Sequence, residues 1–71
     1  MTTDWNSLLS TKRNATTVSK FASGNISGRS FYSEFANTAE GGTVRSLLRN
    51  YGVNRARTLA RKALSRRAST V

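Results

Sequence analysis

LLRNYGVNRARTLARKAL, residues 47–64, carries five basic side chains and no acidic one, and its Leu and Ala recur at helical spacing. Val44, Leu47, Leu48 and Tyr51 stand at i, i+3, i+4 and i+7, an apolar stripe over two turns. Gly52 follows where a left-handed residue ends a helix. Asn54 is then an N-cap type, and Ala56, Leu59, Ala60, Ala63 and Leu64 repeat the stripe. At about 100° per residue these apolar positions cover roughly 140° of the helix circumference. Arg55, Arg57, Arg61, Lys62 and Arg66 occupy nearly all the rest. Arg67 falls back among the apolar positions, so the packed part is predicted to end near Arg66, with 67–71 a flexible tail. The stretch reads as two helices, at about 44–51 and 54–66, and sets the fold class as all-α.

Upstream the signals are sparser. Thr3 or Asp4 caps a short helix in which Trp5, Leu8 and Leu9 share a face, predicted to run to about Arg13. The stretch 14–29 is small and polar, with Gly24 and Gly28 as breakers, and reads as a loose Ser/Thr-rich segment. Within it Val18, Phe21 and Ala22 fit one helical turn after Thr17, while Thr16 and Val18 equally suit an extended strand. From Ser30, Phe31, Phe35 and Ala39 follow helical spacing until Gly41-Gly42 stops them, and Thr43 is an N-cap type for the next helix. The expectation is three or four short helices in one domain, 1–66, with no internal repeat and no Pro- or Gly-rich linker.

Charge divides this domain. Residues 1–43 hold Lys12, Arg13, Lys20 and Arg29 against Asp4, Glu34 and Glu40, and are nearly neutral. Residues 44–71 hold Arg45, Arg49, Arg55, Arg57, Arg61, Lys62, Arg66 and Arg67 with no acid. A solvated helical face normally mixes signs in i, i+4 pairs, so one-signed charge of this density points to a polyanionic partner.

The order apolar, apolar, Gly, apolar, cap in Leu47, Leu48, Tyr51, Gly52, Val53 and Asn54 resembles the first helix and turn of a DNA-binding helix-turn-helix. GVNRARTLARKAL likewise resembles the opening of many recognition helices. The resemblance covers about twenty residues. It departs where the motif wants apolar residues four and seven positions after the cap, because Thr58 and Arg61 stand there. An antiparallel helical hairpin uses the same Gly and cap signals.

The expected function is therefore a small basic nucleic-acid-binding protein, for DNA or RNA, gripping phosphates through planar Arg forks. The expected contacts are Arg45, Arg49, Asn54, Arg55, Arg57, Thr58, Arg61, Lys62 and Arg66. Any groove reading would come from Asn54, Arg55, Arg57 and Thr58. About six phosphate contacts would give a log–log salt slope near −5. Of the aromatic residues Trp5, Phe21, Phe31, Tyr32 and Phe35, helical spacing places most in the core and leaves Tyr32 as the candidate for exposure.

The larger apolar side chains are spread thinly over 71 residues, near the size where one core is marginal. A rival reading is thus a structural or interaction protein completed by a larger assembly or by its own copies, such as a minor viral or phage particle component. A third is an inhibitor that binds an acidic protein groove. No catalytic residue and no metal or cofactor site is expected. There is no Cys or His, and the three acids are far apart without a pairing pattern. No apolar run approaches the ~20 residues of a spanning helix, and the start resembles no signal peptide. Residence in the cytoplasm or within a viral particle is expected.

Overall fold

Capping side chains place the helices. In a computed structural model, which describes residues 5–69 and side chains as far as residue 66, the elements are α1 (Trp5–Leu8), α2 (Lys12–Ala22), α3 (Gly28–Phe35) and α4 (Gly41–Ser69). The described residues are helical with no strand. The caps suggested at Thr3 and Asp4, and the last two residues of the predicted tail, lie outside the described residues.

The stretch read as loose is mostly α2. Thr11 adopts extended angles and its hydroxyl accepts from the Asn14 N–H at 3.0 Å, a side-chain cap that starts the helix. Thr16 and Thr17 donate back to the carbonyls of Lys12 and Arg13, so their hydroxyls are satisfied inside the helix. Ala15, Val18, Phe21 and Ala22 line its inner face. The helix ends in a Schellman motif: Asn25 N–H reaches Lys20 O at 2.9 Å, Gly24 N–H reaches Phe21 O at 3.1 Å, and Gly24 takes φ 86°. Because Thr11 opens a new helix, α1 stops at Leu8 rather than near Arg13.

Two further boundaries differ from expectation. Ser27 caps α3 by accepting from the Ser30 N–H at 3.1 Å, so α3 begins at Gly28. Thr38 donates to Phe35 O at 2.8 Å and closes the helix well before Ala39. Gly41 and Gly42 open α4 instead of stopping α3, and Thr43 lies inside it. A Cβ at Gly41 would stand 2.6 Å from Phe35 O, so glycine is needed here for close backbone approach.

Within α4 only Gly52 leaves helical geometry, at φ 78° and ψ 164°. A straight helix of 29 residues would be about 43 Å long, yet the molecule measures 30 × 26 × 23 Å. The helix therefore bends at Gly52 into arms 41–51 and 53–69. With Gly52 as the non-helical residue, Asn54 stands within the first turn of the second arm, not at its cap. Helical backbone continues to Ser69.

The core is organised on three rings. Phe21 and Phe31 stack at 4.1 Å with planes 5° apart, and Phe35 meets Phe31 edge-on at 5.5 Å and 83°. Leu8, Leu9, Val18 and Ala22 close the core on one side. Val44 and Leu47 enter it from the first arm of α4, and Ala56 and Ala60 from the second. Phe31→Ala is expected to remove about 3–5 kcal/mol, comparable with the whole stability of a chain this short. Far-ultraviolet circular dichroism should then show no cooperative melt, whereas Phe31→Leu should still melt at a lower temperature.

Candidate nucleic-acid interface

The nine residues expected at an anion divide into two groups. Arg45, Arg49, Asn54, Arg55, Thr58, Lys62 and Arg66 are exposed. Arg57 is half-buried, and Arg61, though exposed at its edge, is bonded into the fold.

Arg57 and Arg61 hold the second arm of α4 to the end of α2. Arg57 donates from Nε to Phe21 O at 3.1 Å and from Nη2 to Ile26 O at 3.0 Å. One turn later Arg61 donates from Nε to Ala22 O at 2.9 Å. The last carbonyls of a helix lack intrahelical partners and carry the negative end of its dipole, so cations are stabilising there. The Arg57 guanidinium also lies 5.0 Å from the Phe21 ring centroid, a cation–π contact. Helical spacing permits this role without singling it out. Arg57 and Arg61 flank Leu64 at the edge of the apolar stripe, where a long side chain can lie along a neighbouring helix.

The exposed cations form a ridge. Arg55, Lys62 and Arg66, spaced by seven and four residues, fall within about 40° of one another around the arm and extend about 16 Å along it. Arg45 and Arg49, one turn apart, form a shorter pair on the first arm. Arg55 sits 5.9 Å from the Tyr51 ring centroid, which links the two arms across the bend. Among the described residues none of these five cations makes an ion pair. The carboxylates described are Glu34 on α3 and Glu40 before α4.

Thr58 donates to Asn54 O at 3.3 Å and faces solvent, while Ala56 and Ala60 are the residues packed inward. Tyr32, expected to be exposed, is half-buried against the core, and the three Phe rings are fully inside. A shallow recess between α2 and the second arm is lined by Ser19, Ala22, Ser23, Arg61 and Leu64. Among the described residues no group of three or more His, Cys, Asp or Glu could hold a metal, and no helix is long and apolar enough to cross a membrane.

Comparison with family models, with curated proteins and with solved structures finds no match to this chain.

Arg57→Ala should lower stability by about 2–3 kcal/mol in urea unfolding, because it removes two charge-assisted bonds at a partly buried site. Arg57→Lys keeps the charge but loses the two-pronged reach, and should recover only part of the loss. Arg55→Ala, on the exposed ridge, should change stability by less than about 0.5 kcal/mol.

Proposed function

We propose that this protein binds nucleic acid through its phosphate backbone, with Arg55, Lys62 and Arg66 as the central contacts and Arg45 and Arg49 as flanking ones. The observation that carries the reading is the exposed ridge on α4, whose cations make no ion pair among the described residues, on a helix without a single acidic residue. Arg forks give phosphates paired, charge-assisted hydrogen bonds, and release of condensed counterions drives the association. Arg57 and Arg61 act at one remove, by holding the arm that presents the ridge.

The mode proposed is contact with phosphates more than reading of bases. Among the described residues the aromatic rings are buried or half-buried, so stacking on unpaired bases has little to work with. Of the four residues expected to read a groove, Arg57 is occupied, leaving Asn54, Arg55 and Thr58 exposed on the first turn of the arm. The helix-turn-helix resemblance gains no support from Thr58, which faces solvent where that motif packs an apolar side chain.

The rival reading, a component ordered only within a larger assembly, expects a chain without a core of its own. The stacked Phe centre and the Arg clasp favour an autonomous domain. Circular dichroism of the isolated chain separates the two: a cooperative melt supports the domain, and a disordered spectrum supports the assembly component.

Binding is checked by fluorescence anisotropy with two unrelated duplexes over a range of salt. Five contacts predict a slope of log K against log salt of about −4.5, with similar affinity for both sequences. The triple substitution of Arg55, Lys62 and Arg66 by Ala should reduce the slope to about −2 while leaving the melting temperature nearly unchanged. Absent or salt-independent binding would sink the proposal.

A further inference from the structure

The bend in α4 is one residue wide. Residues on both sides of Gly52 are helical, and its own angles, φ 78° and ψ 164°, belong to a region that essentially only glycine enters without strain. A Cβ added there would meet nothing within 4 Å. Backbone torsion therefore decides which residue can stand at the bend, and packing does not. Turning this single residue to helical angles would make α4 one continuous rod, about 43 Å long and longer than the whole folded body.

Such a rod carries arm 53–69 away from its own α2. What it leaves behind is specific. The carbonyls of Phe21, Ala22 and Ile26 lose their guanidinium donors, and the core loses the methyl groups of Ala56 and Ala60. An occupant must supply two guanidiniums one turn apart, with two small side chains, also one turn apart, on the adjoining face. Arm 53–69 of another copy has that pattern.

We propose that arm 53–69 exchanges between two copies of this chain through a straightened Gly52, giving a domain-swapped dimer with each clasp remade between chains. The contacts in the dimer repeat those of the monomer, so hinge geometry and concentration set the balance. The fully buried side chains of the arm are alanines, and Leu59, Ala63 and Leu64 pack half-buried beside them, so the same apolar contacts are remade when the arm of a second copy docks. In the straightened helix Arg45, Arg49, Arg55, Lys62 and Arg66 come within about 140° of one face. The swapped dimer thus carries two uninterrupted cationic faces. The inference stands whether or not the ligand is nucleic acid.

The test compares the wild-type chain, Gly52→Ala, and a chain with two glycines inserted after Gly52. Each is unfolded, refolded over a range of concentrations at moderate salt, and sized by chromatography with light scattering. The wild type should be monomeric when refolded dilute and give a dimer fraction that rises with refolding concentration. That dimer should trade differently labelled subunits slowly, since exchange requires opening of the fold. Gly52→Ala places strain on the bent form and favours the straight helix, so it should raise the dimer association constant tenfold or more. The insertion lengthens the hinge and should lower it. A wild type that stays monomeric after refolding at up to millimolar concentration overturns the proposal. So does a dimer that trades subunits within the mixing time, or a folded Gly52→Ala chain no more dimeric than wild type. Should Gly52→Ala fail to fold, the wild-type series and the insertion decide the matter between them.

Discussion

Arg57 reaches into the end of α2 and joins three parts of the molecule at one point. Its guanidinium donates to Phe21 O at the last turn of α2 and to Ile26 O in the following loop, from a base on the second arm of α4. It also covers the Phe21 ring, which stacks on Phe31, which in turn meets Phe35. With twelve basic residues and three acidic ones, the chain has few carboxylates with which to fix its cations in place. Backbone carbonyls at a helix end are the alternative, and the fold uses those of α2. A bond from a charge to a partly buried dipole is also screened less by salt than a surface ion pair.

That arrangement separates the arginines by work. Arg57 and Arg61 are spent inside the molecule, and their neighbours Arg55, Lys62 and Arg66 point away from it. The separation follows from which side of the stripe faces α2. Positions 57 and 61 lie beyond its Leu64 edge, against the end of α2, whereas 55, 62 and 66 lie beyond its Leu59 edge, open to solvent. One continuous run of like charge therefore serves both to close the fold and to leave a polar ridge open.

Much of the architecture was legible in the sequence. The apolar stripes of residues 44–51 and 56–64 marked both arms of α4, and Gly52 marked the break between them. The all-helical class followed from these alone. The region of α2 was not legible, since Thr and Ser weigh against helix in propensity. What forms the helix is local hydrogen bonding by Thr11, Thr16 and Thr17 together with burial of Val18 and Phe21, and burial is known only once the partners are in place. Gly41 departs from expectation for a related reason. A glycine after a periodic segment marks a helix end by its backbone freedom, but here it is required by a carbonyl lying close to it. Among the candidate contacts, the spacing does not separate the exposed ridge from the bonded pair, because Arg66 and Arg57 stand equally close to the apolar stripe. Occupation of Arg57 and Arg61 is set by acceptors that lie 31 to 39 residues away in the chain.

One contact ties the start of α3 to the bend. A Cβ on Gly28 would come within 2.8 Å of a Val53 methyl and 3.6 Å of Leu48, so the first turn of α3 rests directly on the residue after Gly52. Val53 is β-branched and sits in a helix, where its side chain has little rotational freedom to withdraw. Volume at positions 28 and 53 is therefore shared. In the natural variation of this protein the two sites should drift as a pair, with any side chain gained at 28 accompanied by a smaller one at 53.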